Sequence, residues 1–381
     1  MVGGRSLPLA GLRDSGAGLD QCVESSVMGK PLSRRQSAKK ARATTDLFEL
    51  VVPGHQLNRT YRDLRNHRSQ APARAEMNRA FREFVDADGN FLQQFQTDGF
   101  DARVFELYLD VYFRTAGFTI EKSHDRPDFV LSKDGIDVCV EATTASVSKR
   151  IGEILEGLNL SREDELLHEI PIRFGSALFS KLQKEYWKLP QCANKPIVLA
   201  IEAFYSDTSL YVTDSPLANY LYGQRHFPTW TKSGELIVNA EEIEEHRLPS
   251  KVIPSNFFSQ PNTEYISAVL FTNSGTAAKF NRMGYSIEKY PDLTMTRRGR
   301  FYDPDPNAAV PIELEYNLEL PAFQETWGNG IMIMLNPNAK YPIPMDFFPD
   351  ASQTYLKDGK LFADVQPHHP FHSVTHIFER V

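Results

Sequence analysis

The segment 101–146 constrains the fold of this chain more than any other. Within it, Val104, Leu107, Tyr108, Val111 and Tyr112 follow the i, i+3, i+4, i+7, i+8 spacing of a helix, and Phe105, Leu109 and Phe113 add a second apolar stripe. Only a narrow polar stripe is left, made of Arg103, Glu106, Asp110 and Arg114, and Gly117 is well placed to end the helix. Residues 118–121 then read as a strand. Residues 128–131 and 136–141 read as two more, joined by the turn Ser132-Lys133-Asp134-Gly135. A helical stretch over 176–189 and a strongly apolar strand at 196–201 follow. Helix, three strands, helix, strand predicts an α/β sandwich around one mixed central sheet.

The chain has 381 residues, 41% hydrophobic and 24% charged, which is the profile of a soluble globular protein with a sizeable core. No stretch approaches the roughly 20 apolar residues of a membrane span, and the run 7–12 is too short and interrupted for a signal-peptide core. Cys22, Cys139 and Cys192 are scattered with no CxxC pair. That excludes a disulfide framework or Cys-rich zinc site and predicts a reducing, cytoplasmic location.

Four regions are expected. Residues 1–45 hold eight basic and three acidic residues, a balance of +5 that leaves −12 for the remainder of a chain of net charge −7. With few large apolar side chains they read as a disordered basic tail, either a solvated tail or a nucleic-acid-binding arm. Residues 46–100 form a helical lead-in and 101–206 a core. Residues 207–381 are read as an insertion and additional strands packed on the same domain. The prolines at 216, 228, 249, 254 and 261 mark elaboration, while 266–271 and 331–335 read as buried strands.

Two carboxylates stand out within the core. Asp128 opens one strand after Pro127 and Glu141 ends the next, so in a tight hairpin they face each other at its open end. Strand alternation puts Asp137, Cys139, Glu141 and Thr143 on one face and Val138, Val140 and Ala142 on the other. Converging carboxylates repel unless a cation or a proton lies between them. A hard divalent ion, Mg2+ or Mn2+, is the natural occupant, and such an ion suits phosphodiester hydrolysis.

The helix with Glu106, then Arg126-Pro127-Asp128, then Glu141-Ala142-Thr143 resembles the PD-(D/E)XK nuclease superfamily, the restriction-endonuclease-like fold. The resemblance covers roughly 100–205. It implies metal-binding roles for Asp128 and Glu141, an accessory metal role for Glu106, and a nucleic-acid substrate, most naturally DNA, in a restriction or defence setting. Thr143 stands where that family has lysine, and a hydroxyl cannot supply the positive charge. Lysine can come instead from the following helix, with Lys181 the preferred candidate. Thr143 can hold water while the ion acts, or the fold can persist as an inactive module that binds nucleic acid or a protein.

Other signals are weaker. The strand character of 370–376 argues against His372 and His376 sharing a metal. Asn273-Ser274-Gly275-Thr276 reads as a strand-to-helix turn capped by Ser274 or Thr276. No GxSxG, HExxH, P-loop or Rossmann fingerprint is present. Oligomeric state leaves no trace in the sequence.

Overall fold

The computed structural model describes residues 46–87, 89–145, 161–204, 209–305, 307–319 and 324–380, so the basic tail lies outside the described residues. The lead-in folds as helices α1 (Arg59–Asn66), α2 (Ala71–Glu83) and α3 (Phe91–Gln96), followed by α4 (Phe100–Thr115). Both apolar stripes of α4 are buried, and its polar stripe is largely covered as well, with Asp110 wholly inaccessible. Then come β1 (Thr119–Glu121), β2 (Phe129–Lys133) and β3 (Ile136–Ala145). The β2–β3 turn is tighter than expected. Lys133 pairs with Ile136, and Asp134 (φ 52°) with Gly135 (φ 78°) make a two-residue turn whose positive φ values suit Asp-Gly.

Helix α5 (Ile170–Leu182) starts and stops earlier than the expected 176–189. It continues a helical segment that begins at Arg162 and passes through a π turn at Glu165–Glu169, and Pro171, which has no N–H to donate, follows directly on that turn. At the other end the left-handed Glu185 diverts the chain into 3-10 turns Tyr186–Lys188 and Pro190–Cys192. Strand β4 (Ile197–Ala203) is buried along its whole length. Helix α6 (Ser215–Tyr222) and the hairpins β5 (Gln224–Trp230) with β6 (Leu236–Glu242), and β7 (Glu245–Leu248) with β8 (Lys251–Pro254), follow.

The remaining elements are β9 (Ala268–Thr272), α7 (Ala277–Ile287), β10 (Leu293–Phe301), β11 (Ile312–Asn317), β12 (Ile331–Leu335), β13 (Ser352–Lys357), β14 (Lys360–Asp364) and β15 (Pro370–Glu379). An eight-stranded sheet runs β1-β2-β3-β4-β9-β12-β13-β14, and β11-β10-β15 form a separate antiparallel sheet. Strands β1, β2 and β3 are antiparallel neighbours, whereas β3, β4 and β9 are parallel. The molecule is therefore α/β with a large mixed central sheet. One core lies between the sheet and α2, α4 and α7, and includes Val138, Val140, Phe105 and Phe280. The other lies between the sheet and α5 and α6, and includes Cys139, Phe174 and Leu221. The predicted alternation of β3 thus matches two separate cores. Among the described residues no helix is long and apolar enough to cross a membrane.

Candidate active site

The register Phe129↔Val140 and Val130↔Cys139 sets Asp128 opposite Glu141 at the open end of the hairpin. Asp128 follows a cis Arg126–Pro127 bond, and its Oδ2 accepts the backbone N–H of Ala142 at 2.8 Å. That bond crosses from one strand to the other, so the carboxyl is tied to the strand that carries Glu141. Burial, then the charges of Glu141 and Glu106, push the Asp128 carboxyl up to about 7. Three acids therefore converge electrostatically on one point.

They arrive from different layers. Glu141 belongs to the α5 face of the sheet, while Glu106 sits on α4 on the opposite face. Asp128, at the strand end, feels both. Glu106 is held by Arg103 and stands 3.9 Å from Lys122, and burial raises its pKa above the usual carboxylate range. Its carboxylate is engaged in protein contacts rather than open.

Lys181, in the last turn of α5, reaches across to Glu141, with Nζ 2.6 Å from Oε1. The pair is largely buried, with side chains 23% and 8% exposed. An ammonium from the helix after β3 thus stands beside the carboxylate that precedes Thr143 by two residues. Thr143 lies one pleat further along β3, half-buried and on the Glu141 face, with no hydrogen bond to its hydroxyl among the described residues. Gln183 and Lys184 are exposed beyond the helix end.

Two residues that sequence patterns did not single out complete the site. Lys122 is buried against Phe129, its Nζ 3.6 Å from the ring centroid, and donates to the backbone oxygen of Asp128 at 2.7 Å. Burial holds its pKa below the usual lysine value despite Glu106, Asp110 and Asp128 nearby. Tyr186, in the turn after α5, places its hydroxyl beside Glu141, and burial followed by that carboxylate drives its pKa up. Neither residue lies in a periodic pattern. For Tyr186 the one available signal was position, since it follows the helix that delivers Lys181.

The donor set suits a hard cation. Asp128 Oδ1 has no hydrogen-bond partner among the described residues, while Glu141 is shared between the Lys181 ammonium and the Tyr186 hydroxyl. Two carboxylates with water and phosphate oxygens are a common Mg2+ environment. Among the described residues no group of three or more His, Cys, Asp or Glu side chains is arranged to hold a metal. An ion here would depend on ligands from substrate and solvent. His372 and His376 lie in β15 as the strand reading expects, next to Arg300 and Thr296.

No protein-family model matches the chain, and neither a curated protein nor a solved structure is significantly similar to it.

Proposed function

We propose that the chain is a metal-dependent phosphodiesterase with a restriction-endonuclease-like core, acting on nucleic acid and most naturally on DNA. The observation that carries this reading is the 2.6 Å contact from Lys181 to Glu141, made at the strand end where Asp128 stands opposite. The topology agrees: α4, three antiparallel strands, α5, then a strand parallel to the third. A lysine delivered by α5 offers the charge that Thr143 cannot.

Asp128 and Glu141 would hold Mg2+ or Mn2+, which when bound supplies Lewis-acid polarisation of the phosphate and a lowered water pKa. The chain's own side chains do the rest. Lys181 orients Glu141 and presents positive charge where negative charge gathers in the transition state. Thr143 offers a hydroxyl on the same face to position water, and Lys122 fixes the backbone of Asp128. A second reading is favoured by the same ion pair: Lys181 already neutralises Glu141, as in a nuclease-fold module that binds nucleic acid without cutting it.

A purified-protein assay on linear, supercoiled and single-stranded substrates with Mg2+ or Mn2+ separates the two. Cleavage lost in both Asp128→Ala and Glu141→Ala supports the enzyme. Cleavage surviving both substitutions eliminates this site, and tight binding without cleavage supports the inactive module.

A further inference from the structure

A second site opens along the same edge of the sheet. Strands β4 and β9 are adjacent and parallel, yet the chain leaves them toward opposite faces. From β4 it runs to α6, whose Leu217 and Leu221 enter the α5-side core. From β9 it runs to α7, whose Phe280 enters the other core. Such divergence leaves a crevice beyond the carboxyl ends of the two strands, the usual ligand position in open α/β sheets. A cavity of about 540 Å³ occupies it, bordered by Phe204 after β4, Asp214 before α6, and Asn273 and Ser274 after β9.

The chemistry of its walls is selective. Asp101, in the first turn of α4, borders the cavity with no ion pair or hydrogen bond to its carboxyl among the described residues, and burial raises its pKa. Asp214 is also raised by burial, to about 6. Arg282 borders the cavity but is spent, its Nε and Nη2 on Glu325 and its Nη1 on Thr375. His369 and His372 also border it, but burial holds both imidazoles below their usual pKa, so a phosphate would meet acids without a free cation among the described residues.

A simple cation is disfavoured from the other side. Helix α7 begins at this wall, and Thr276, at its N-cap, makes no side-chain cap, contrary to the sequence expectation. The first-turn N–H groups of Ala277 and Ala278 have no acceptor among the described residues, and both residues line the cavity. They present the positive end of the helix. Gly275 in the same turn has no room for a side chain, since a Cβ there would lie 2.2 Å from Glu202 Oε2. The backbone is thus clamped against the sheet and its amides are held in place.

What remains is a neutral, flat ligand that carries N–H donors and ring acceptors together, with Phe100, Phe271 and Phe371 supplying apolar wall. We propose that this crevice holds one nucleobase, its amino or imide edge on Asp101 and its ring acceptors toward the start of α7. The phosphodiesterase reading enters only as the source of that base. Asp101 precedes Glu106 by five residues on α4, about 7.5 Å along the helix, so a base extruded from a bound strand and a free mononucleotide are both within the chemistry.

The test uses the full chain carrying Asp128→Ala, so that binding is read without cleavage. Calorimetric titration with the four nucleoside 5′-monophosphates, and with short single strands that have or lack one base, reads the site. Base-dependent binding that weakens about tenfold or more in Asp101→Asn is expected. Binding of a mononucleotide identifies a free ligand, and binding only within a strand, lost at the abasic position, identifies an extruded one. Ala278→Phe, which fills the mouth from an exposed position, gives the same loss if Asp101→Asn misfolds by thermal melting. No base-dependent binding in either arm, or binding indifferent to both substitutions, overturns the proposal. Base binding in a protein that cuts nothing overturns only the phosphodiesterase reading.

Discussion

At the open end of the β2–β3 hairpin, Asp128, Glu141 and Glu106 crowd together with Lys181 and Lys122 around them. Against the β10 side of α7 the cations outnumber the acids. There one carboxylate, Glu325, serves Lys279 at 2.7 Å, Arg282 at 2.7 Å and Arg297 at 3.2 Å, and all four side chains are at most 5% exposed. Burial opposes ionisation of Glu325, yet the three cations hold it well below the usual carboxylate range. In the first cluster Arg103, Lys122 and Lys181 serve Glu106 and Glu141, and Asp128 makes no ion pair among the described residues at a partly open edge. In the second the carboxylate is saturated and sealed. A buried charge network becomes a strut when its geometry is closed, and a site when a coordination position is left over.

The largest effect should come from the strut. Glu325→Gln leaves two buried guanidiniums without their shared partner, and Lys279, already lowered to about 7 by burial, without the charge that holds its proton, and should cost about 3–5 kcal/mol, read by denaturant unfolding at pH 7. Because the Glu325 pKa is depressed, its contribution is present above the unfolded carboxyl value and lost as pH falls. If the strut can be removed at no cost, the contrast drawn above collapses.

At the site the expected loss is of function. Lys181→Gln should lower kcat on nucleic acid by about 10²-fold or more while metal binding persists, whereas Thr143→Val should change it far less. Equal effects would return the lysine role to Thr143.

Stability should move the other way at Asp128. Its raised pKa means that the folded state favours the protonated form, so between about pH 4 and 7 this group makes stability fall as pH rises. Asp128→Asn should therefore be neutral at low pH and stabilising by on the order of 1–3 kcal/mol at pH 8, a difference visible in Tm. The last effect is on added ion. Mg2+ affinity should rise by roughly tenfold per pH unit up to about 7 and then level off, since the ion competes with one proton. An affinity independent of pH would remove Asp128 from the ligand set.

Much of the hairpin end was legible because its determinants are local. An Asp-Gly turn fixes register, and register alone sets Asp128 across from Glu141. The helix of Glu106 was equally legible from its periodicity. Lys181 could be nominated by its chain position, although helix begins well before the expected start, at Arg162, and the left-handed Glu185 ends it early. The partners of α4's polar stripe were not legible, nor was Lys122 under Phe129, because a long-range cover leaves no local pattern. The same holds for the strut. Glu325 and Lys279 are 46 residues apart, and nothing in either neighbourhood announces a buried ion pair.

Strand β4 has consequences for how the protein is made. All seven of its residues are buried, and one of its two neighbours, β9, begins 65 residues after β4 ends. At ribosomal speeds of about 5–20 residues per second, the nascent chain carries an unsheltered strand edge, apolar except for Glu202, for several seconds. A chain released at residue 206 would keep that edge permanently and should aggregate. The later half of the polypeptide therefore acts as a delayed chaperone in cis for the earlier one, and β4 gains its second neighbour only once β9 has been made.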